Sequence, residues 1–598
     1  MVVSLFHGTI SPSACSAATF TYPIIPDIKF LSLEANLVDN FSQNVPVGGY
    51  PNHGAVNVTG ARFCNVSTIY THLGGNDAVN VQVWLPTDTW NGRLQGIGGS
   101  GWTGGLPGPA LPGMAAAISE GYSTYATDAG LGLSADSITP VSWALPEEGK
   151  PNMRLLQNLA SDSLYEGALI AKNFTAAFYA KPAAYSYFSG CSQGGRQGLM
   201  LAQRYPDVFD GIAAGAPGIN WNPFVVGAIY PNFLMSLYGV YPPSCEVAVL
   251  TAAAIKACDG LDGVVDGIIS DPEACEFDPL ELVGTAIQCP DFWDGPRRAN
   301  NSRMWYGPYP DAVLSKGGSG VTPIGTTCSA NGTCTMDPIT LFQEWVRLFV
   351  LKNSTADTSH LSLAEYEEIF DAAAREYDSV IGTANPDLSA FRRAGGKMIT
   401  YHGLADPLIP PRGTEQYYKR VTALDPKVHD FYRLFFAPGL AHCHGGPGPF
   451  PDTTFDTLVR WVEDGVAPET LVATSVGTGP VIKRPLCAYP LKQKYSKGTG
   501  DFICAVPDGL GAMASGLTPT PVANVNDEAG TTIAPRLSRR WMQDNHETYD
   551  DAPWDDDGDK NGVISHTFEG RLDNLYDQEE QGEMEESQAL SCIEVAGG

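Results

Sequence analysis

A serine stands at the centre of a Gly-x-Ser-x-Gly pattern in YFSGCSQGGRQG, residues 187–198. A serine hydroxyl becomes a useful nucleophile only when a base removes its proton and a sharp turn exposes its oxygen. The pattern follows a predicted strand, AAYSYFSG, and opens a predicted helix, GGRQGLMLAQRYPDVF, as a nucleophile elbow requires. Glycines at 190 and 194 permit the strained turn. We therefore predict that Ser192 is a catalytic nucleophile.

An acid and a base for this serine follow two later strands. MITYHGLADPLI presents Asp406 after a predicted strand, and FYRLFFAPGLAHC presents His442 after another. The chain order Ser, Asp, His is that of α/β hydrolases, in which the histidine is the base and the carboxylate orients it. His402, at a strand end, and His444, two residues beyond His442, are alternative bases. Asp406 could also be a turn residue without a catalytic role.

A tetrahedral intermediate on this serine needs two backbone N–H donors for its oxyanion. The residue after the nucleophile, Gln193, supplies one in the usual elbow geometry. The second is expected from the glycine-rich loop LQGIGGSGWTGG, residues 94–105, and Gly99 is our assignment. A flexible structural turn is the alternative interpretation of Gly98 and Gly99.

Two cysteines adjoin the predicted catalytic residues. Cys191 precedes the nucleophile, and Cys443 follows the base. A disulfide between them would tie the two catalytic loops together across about 250 residues of chain, and closing such a loop contributes up to ~5 kcal/mol in the chain-entropy model. Its larger effect is expected to be geometric, because catalysis is sensitive to misplacement by one ångström. An unlinked buried thiol at Cys191 is the alternative.

Strands and helices alternate along most of the chain, which favours a mostly parallel α/β sheet. VNVQVWLP reads as a strand, and NLASDSLYEGALIAKNFTAAFYA as one helix. The alternation stops near residue 221, and the following segment, rich in Pro, Cys and Trp, contains the helical stretches LFQEWVRLFV and LAEYEEIFDAAAREY. We predict an α/β-hydrolase fold with a large inserted lid domain: catalytic domain 1–221 and 396–510, lid 222–395, and an acidic, disordered extension 511–598.

Composition excludes several classes of protein. The net charge is −30, and the 36 Lys and Arg residues form no basic stripe, so nucleic acid is not an expected partner. No run of 18 apolar residues occurs, so no membrane partner is expected either. The chain has 13 cysteines and seven Asn-x-Ser/Thr sequons, which favour a secreted, extracellular glycoprotein with disulfides. The first twenty residues lack the pattern of a signal peptide. The sequons are at Asn40, Asn57, Asn65, Asn173, Asn300, Asn331 and Asn353.

The joint Cys-Ser and His-Cys arrangement resembles the fungal tannase and feruloyl esterase family. The resemblance runs from about residue 15 to 510 and includes GIGGSGWTGG, GCSQGGRQGLM, YHGLADPLIPP, GLAHCHGGPGP and the cysteines of RPLCAYP and GDFICAV. It implies an α/β-hydrolase core with a large lid, secretion, and cleavage of phenolic acid esters without an organic cofactor. The resemblance also implies disulfides beyond Cys191 to Cys443, namely Cys258 to Cys275, Cys487 to Cys504 and Cys15 to Cys64. Partners for Cys245, Cys289, Cys328, Cys334 and Cys592 stay open.

A second group of polar residues lies in CDGLDGVVDGIIS, residues 258–270. Calcium favours several carboxylate and carbonyl oxygens on a tight loop, although a solvated acidic turn is the alternative. The resemblance implies structural calcium bound by the side chains of Asp259, Asp262 and Asp266 and by the carbonyls of Val264 and Ile268. The stretch DDDGDKNGVIS at 555–565 resembles the start of an EF-hand, but Phe568 replaces the final bidentate acid, so no second site is predicted.

The function most consistent with these residues is a serine carboxylic ester hydrolase that forms an acyl-enzyme on Ser192. Its substrate would be a small or polysaccharide-linked aromatic ester, with feruloyl and other hydroxycinnamoyl esters of plant cell walls as the main expectation. Gallate esters of tannins are an alternative that sequence does not separate, and oligomeric state stays open. A non-catalytic, calcium-stabilised binding protein on the same scaffold is the alternative of another class. The complete set of Ser192, Asp406 and His442 argues against it.

Overall fold

The computed structural model describes residues 14–108, 110–279, 296–315, 323–329, 333–476 and 481–507. The predicted acidic extension, its EF-hand-like stretch, and Cys289 and Cys592 lie outside the described residues.

A nine-stranded mixed sheet forms the centre of the molecule, in the order β1-β2-β3-β5-β4-β6-β7-β10-β11. The strands from β5 to β11 pair in parallel, whereas β1, β2, β3 and β5 pair antiparallel. The strands are β1 (Ile28–Val45), β2 (Val56–His72), β3 (Val79–Pro86), β4 (Arg93–Ile97), β5 (Ser123–Thr127), β6 (Tyr185–Cys191), β7 (Gly211–Gly215), β10 (Lys397–Gly403) and β11 (Tyr432–Ala437).

Helices cover both faces of this sheet, as a parallel sheet with apolar strands on both sides requires. One face packs against α1 (Ala110–Ser119) and α12 (Thr454–Asp464). The other face packs against α3 (Asp162–Tyr179), α4 (Gln193–Arg204) and α11 (Pro411–Leu424). The predicted α/β class is therefore confirmed, and the central strands β6 and β7 are almost entirely buried.

The sequence between β7 and β10 forms a separate aromatic core. Its rings include Trp221, Trp345 and Tyr366, and Trp102 of the glycine-rich loop packs among them, 5.3 Å from Trp221 between ring centroids. The Trp102 indole also donates to Leu341 O at 2.8 Å, so the loop and the inserted segment are joined. The elements of this segment are α5 (Trp221–Ala228), α6 (Tyr230–Tyr238), α7 (Ser244–Cys258), β8 (Gly325–Cys328), β9 (Cys334–Asp337), α8 (Thr340–Glu344), a π-helix (Trp345–Val350), α9 (Leu363–Ile381) and α10 (Ser389–Ala394).

Two further hairpin-like pairs follow the sheet: β12 (Thr470–Thr474) with β13 (Lys483–Cys487), and β14 (Lys492–Ser496) with β15 (Asp501–Ala505). None of the helices among the described residues has the length and apolar character needed to cross a membrane.

One predicted helix is in fact two. The stretch 158–180 was expected to be continuous, but α2 (Met153–Ala160) ends before Ser161, whose backbone is not helical, and α3 begins at Asp162. Ser163 Oγ donates to Asn158 O at 2.7 Å, which satisfies a carbonyl at the end of α2. Serine and aspartate bond to nearby backbone groups in this way and favour helix ends, so the polar SDS sequence explains the break.

Five disulfides occur among the described residues. The predicted pairs Cys15–Cys64, Cys258–Cys275, Cys487–Cys504 and Cys191–Cys443 are confirmed. A fifth, Cys328–Cys334, joins β8 to β9.

The antiparallel part of the sheet is fastened to α3 by a buried histidine. His72 lies at the end of β2, with Nδ1 2.5 Å from Asp77 Oδ2 and Nε2 3.0 Å from Glu166 Oε1 of α3. Burial alone lowers the pKa of His72, but the hydrogen bonds to Glu166 and Asp77 outweigh this effect and raise it. Stabilisation from a raised histidine pKa is complete below the unfolded value of about 6.5 and is lost as pH rises through the folded value.

We therefore expect His72→Gln to cost more stability at pH 5.5 than at pH 8.5, as measured by urea denaturation. His53→Gln is the matched control, since burial lowers the pKa of His53 to about 3 and its neutral form is the folded one. The control should show the opposite trend, with the larger cost at pH 8.5. Equal costs of His72→Gln at both pH values would contradict the bridging role.

Candidate active site

Ser192 occupies the turn between β6 and α4 with φ 62° and ψ −122°, a conformation that an L-residue rarely adopts. The two glycines of the pattern make this turn possible. A Cβ added at Gly190 would lie 2.5 Å from Gly194 O, and one added at Gly194 would lie 2.8 Å from Gly99 O. The predicted nucleophile elbow is thus present in its expected place between strand and helix.

Asn52 holds the strand ends beneath this turn, a role that the sequence did not reveal. Its amide Nδ2 donates to Ser189 Oγ at 2.8 Å and to Gly190 O and Ala213 O at 3.2 Å each. Ser192 N also donates to Gly215 O at 3.0 Å, which ties the turn to β7.

His442 Nδ1 lies 2.7 Å from Asp406 Oδ2, so the structure pairs the predicted base with the predicted acid. The other oxygen of Asp406 accepts from the N–H groups of Leu408 and Ile409 at 2.9 and 3.0 Å. Asp406 is fully buried. Burial tends to raise the pKa of Asp406, but the charge of His442 and the hydrogen bonds from His402 and His442 hold it well below the usual range. The carboxylate therefore stays ionised and orients the His442 ring.

His402 contacts the predicted acid, a position that favours support of Asp406 over the role of base. Its Nε2 lies 3.1 Å from Asp406 Oδ2 and 2.9 Å from Ile409 O, two acceptors, so this nitrogen carries the proton. Its Nδ1 lies 2.9 Å from Thr414 Oγ1, and the ring is fully buried. The other alternative, His444, packs against Gly48.

The disulfide Cys191–Cys443 joins the nucleophile turn to the histidine loop, with Cα atoms 5.9 Å apart. Cys443 itself has φ 60°, and Cys191 directly precedes Ser192, whose φ is 62°. The bridge therefore joins two segments of backbone with positive φ. Tyr401 OH donates to Cys443 O at 2.8 Å and braces the histidine loop from β10. Sequence predicted the bridge but not this tyrosine.

The oxyanion donors agree only partly with the sequence-based assignment. Gln193 is the first residue of α4, where backbone N–H groups have no partner within the helix. The Gly99 N–H, however, donates to Gln197 Oε1 at 2.8 Å. It already has an acceptor, which corrects our assignment of Gly99. The next N–H of the loop, from Ser100, has only a 3.5 Å contact with Thr103 Oγ1.

Arg196 fixes the first turn of α4 from within the core. It is fully buried, and its Nε donates to Gln193 Oε1 at 2.7 Å. Its other nitrogens donate to Leu159 O, Ala160 O and Ile381 O at 3.0 to 3.3 Å. The guanidinium thereby links the elbow helix to the ends of α2 and α9. The only indication of this role in the sequence was the position of Arg196 one helical turn after the nucleophile.

Two cavities meet at Ser192 and His442, since both residues line each of them. The aromatic pocket, of about 400 Å³, is further lined by Gly101, Gln193, Gly218, Trp221, Phe224, Leu341, Phe342, Leu408 and Ile409. The glycine cleft, of about 1090 Å³, is larger and more polar, and its walls include Gly98, Gly99, Ser100, Ser137, Tyr50, Asn52 and His444.

The predicted calcium loop is ordered by internal hydrogen bonds. Asp259 accepts from the N–H groups of Asp266, Gly267 and Ile268 at 2.9 to 3.2 Å. Asp262 Oδ2 accepts from Ser270 Oγ at 2.5 Å.

A buried arginine neutralises part of the negative charge of this loop. Arg484 donates to Asp266 Oδ2 and, at 3.1 Å, to Ser270 Oγ. Asp266 Oδ1 is buried without a hydrogen-bond partner. Nowhere in the described part of the chain do three carboxylate, histidine or cysteine side chains converge as metal ligands. The oxygen chemistry suits calcium, but the carboxylates of Asp259, Asp262 and Asp266 do not converge, and we assign calcium no part in the reaction.

The bridge across the active site provides a direct test of its geometry. We expect Cys191→Ala/Cys443→Ala to lower kcat by tenfold or more while the protein stays folded, because a displaced His442 is a poorer general base. The matched control, Cys328→Ala/Cys334→Ala, removes a disulfide from the β8 and β9 hairpin and should leave kcat within about twofold. Circular dichroism and thermal melting report folding in both variants. Parallel losses of kcat in the two variants would contradict a positioning role for Cys191–Cys443.

Comparison with known proteins identifies the family of this chain. A sequence model described as tannase and feruloyl esterase matches residues 64–302 and 309–507. A probable feruloyl esterase of Arthroderma benhamiae is 39% identical over 520 residues, which cover 82% of this chain and 93% of the relative. A mono(2-hydroxyethyl) terephthalate hydrolase of Piscinibacter sakaiensis is 31% identical, with 74% of this chain and 85% of the relative covered.

Solved structures give the same result. Tannin acyl hydrolase from Aspergillus niger superposes with a TM-score of 0.73 and 27% identity, covering 83% of this chain and 95% of that one. Feruloyl esterase B from Aspergillus oryzae superposes with a TM-score of 0.66 and 25% identity, covering 81% and 98%. The predicted α/β-hydrolase fold is confirmed. The chain belongs to the tannase and feruloyl esterase family and is a carboxylic ester hydrolase.

Proposed function

We propose that the protein hydrolyses hydroxycinnamoyl esters, of the feruloyl type, through an acyl-enzyme on Ser192. The observation that carries this proposal is the aromatic pocket at the nucleophile. Its apolar walls, from Trp221, Phe224 and Phe342, fit a planar phenolic acid, and the pocket reaches both Ser192 and His442. The 39% identity to a probable feruloyl esterase supports the same substrate class.

Acylation begins when His442 takes the proton from Ser192 Oγ and the oxygen attacks the ester carbonyl. Asp406, through its 2.7 Å hydrogen bond to Nδ1, keeps the proton on that nitrogen and leaves Nε2 as the base. The ionised carboxylate also stabilises the imidazolium that forms. His442 then gives its proton to the leaving alcohol, and the acyl group stays on Ser192.

The oxyanion of each tetrahedral intermediate requires two N–H donors. We assign the backbone N–H of Gln193 to one of them, and that of Ser100 to the other in place of Gly99. Deacylation repeats the chemistry with water as the nucleophile, activated by His442. The free acid leaves, and Ser192 regains its proton.

The two cavities divide the substrate between them. The aromatic pocket is the site proposed for the acyl ring, because its lining is mostly apolar. The glycine cleft is larger, with polar groups such as Asn52 and Ser137 on its walls, and would receive the alcohol. A sugar of a cell-wall polysaccharide is the alcohol that this cleft would fit, and the inserted segment 222–395 would act as the lid over the acyl ring.

A secreted, extracellular location is part of the proposal. Five disulfides in the described residues are compatible with an oxidising environment, and the seven sequons would carry glycans there. Calcium is proposed only as a structural ligand of the loop 258–270. The unpartnered Asp266 Oδ1 supports it, and calcium would have to draw together the three carboxylates of this loop, which do not converge in this structure.

Removal of the nucleophile tests the mechanism. Ser192→Ala is expected to lower kcat/KM on methyl ferulate by 10³-fold or more while melting temperature and circular dichroism stay those of the wild type. The loss follows because no acyl-enzyme forms without the Oγ. Retained activity on every aryl ester tested would contradict the assignment. Wild-type rates on methyl ferulate, methyl caffeate and methyl gallate then rank hydroxycinnamoyl against galloyl esters.

Chelation tests the calcium proposal independently of activity. If calcium binds the native loop, removal by EDTA should lower the melting temperature by several degrees, and added calcium should restore it. Asp262→Asn/Asp266→Asn should lower the melting temperature and remove its dependence on calcium. A melting curve of the wild type indifferent to both EDTA and calcium would mean that Arg484 and the backbone N–H groups suffice for this loop.

A further inference from the structure

A second histidine lines the glycine cleft together with the catalytic residues. It is His444, two residues after the base His442, and it shares the cleft wall with Ser192 and His442. Its side chain is exposed, and its ring nitrogens have no hydrogen-bond partner among the described residues. The mechanism uses the ring of His442 only. An accessible imidazole on the wall of a substrate cleft is a group that can orient a polar part of the substrate.

The backbone places His444 directly beside the base. The N–H of His444 donates to His442 O at 2.7 Å across Cys443, whose φ is 60°, and this bond between residues two apart is that of a γ-turn. The N–H of Ala441 donates to Gly445 O at 3.0 Å and closes the loop around both histidines. Cys443, at the centre of the turn, is held by its disulfide. His444 therefore keeps a fixed position relative to the base.

The ring of His444 lies against Gly48, another residue of the cleft wall. A Cβ added at Gly48 would lie 2.1 Å from Nε2 and 2.2 Å from Cδ2 of His444, so only glycine leaves room for the ring. Gly48 has φ 87°, a conformation that also favours glycine. The imidazole is thus packed on the cleft wall, although its side chain stays exposed.

The protonation state of His444 suits a hydroxyl group. Partial burial and the charge of His442 lower the pKa of His444, so its ring is neutral near pH 7. A neutral imidazole has one nitrogen that donates and one that accepts, whereas an imidazolium only donates. An alcohol hydroxyl also does both. The ring can therefore pair with a hydroxyl in either direction.

Two serines add hydroxyls to the same cleft. Ser100 and Ser137 are partly exposed, and their side-chain oxygens have no hydrogen-bond partner among the described residues. The hydroxyls of Tyr50 and Tyr401, which also line the cleft, already donate to protein oxygens at 2.7 and 2.8 Å. The polar groups still open to a ligand are thus those of Ser100, Ser137 and His444, each able to donate and to accept.

We propose that His444 hydrogen-bonds a hydroxyl group of the leaving alcohol and makes the enzyme favour esters of polyhydroxylated alcohols, such as sugars, over esters of simple alkyl alcohols. This inference rests on the proposed function, which places the alcohol in the glycine cleft. His442 gives its proton to the departing oxygen, and His444 lies one γ-turn further along the same loop. A hydroxyl that loses its water on entering the cleft needs a new partner, and His444 supplies one.

The test compares two ferulate esters whose alcohols have the same three carbons, n-propyl ferulate and 1-glyceryl ferulate. They differ only in two hydroxyls of the alcohol. In the wild type we expect the ratio of kcat/KM for the glyceryl ester to that for the propyl ester to exceed one. In His444→Phe, which keeps a flat ring and removes both nitrogens, this ratio should fall about three- to tenfold, in line with one lost hydrogen bond. The change should be mainly in KM.

His360→Phe is the matched control. His360 is also an exposed histidine, but it lines neither the glycine cleft nor the aromatic pocket. Its substitution should leave the glyceryl to propyl ratio as in the wild type. Equal losses on both esters in His444→Phe, or the same fall of the ratio in His360→Phe, would overturn the inference.

A second variant tests the position of the ring. Gly48→Ala keeps the imidazole but displaces it, because the new Cβ would overlap Nε2. The glyceryl to propyl ratio should fall in this variant too, and circular dichroism checks that it is folded. An unchanged ratio in a folded Gly48→Ala protein would count against recognition by a ring held at Gly48.

The same two alcohols on galloyl esters separate this inference from the proposed function. Cleavage of propyl and glyceryl gallate without cleavage of the ferulates would refute the proposed acyl group. A fall of the glyceryl to propyl ratio in His444→Phe on the gallates would still support recognition of the alcohol. Cleavage of ferulates with a ratio that His444→Phe leaves unchanged would refute the role of His444 alone.

Discussion

The active site depends on one constraint, which is that a serine in a strained turn and a histidine on a loop 250 residues later must keep a fixed distance and orientation relative to each other. The bond between Cys191 and Cys443 provides this constraint at the point where it matters, one residue from each catalytic group. Both loops follow strands of the parallel part of the sheet, β6 and β11, so the sheet brings them to the same edge. The covalent bridge then fixes what the strand ends alone would leave loose.

The same edge of the sheet concentrates buried polar groups, and both carboxylate oxygens of Asp406 have hydrogen-bond partners there. Asp406 is an ionised carboxylate without exposure to water, a costly arrangement unless hydrogen bonds surround it. Two histidines and two backbone N–H groups provide them. Because each partner is itself held, by Thr414 for His402 and by the disulfide for the His442 loop, the carboxylate has little freedom to move. Rigidity of this kind keeps His442 ready before substrate arrives.

Sequence was sufficient for the parts of this site that follow from local rules. The Gly-x-Ser-x-Gly turn requires glycines at 190 and 194, and the order Ser192, Asp406, His442 follows from strand order. It was not sufficient where a residue acts through a distant contact. Asn52 and Tyr401 are separated from their partners by 42 to 161 residues, and no spacing in the sequence predicts these contacts. The Gly99 assignment failed for the same reason, because Gln197 of α4 takes its N–H. The prediction of a single helix over 158–180 was wrong because it gave more weight to the apolar periodicity than to a local signal for a helix end, the serines at 161 and 163.

Helix α4 shows why positioning and selectivity are difficult to separate in this fold. Its first turn follows the nucleophile and contains Gln193, whose backbone N–H is the proposed oxyanion donor and whose side chain lines the aromatic pocket. Arg196 anchors that side chain from the core, and Gln197 holds the glycine loop on the other side. A movement of α4 large enough to change the acyl pocket would therefore also move the nucleophile and the oxyanion donors. Differences in acyl specificity are more easily made from the opposite wall, where Phe224 and Phe342 of the inserted segment, with Trp221 directly before it, carry no catalytic group.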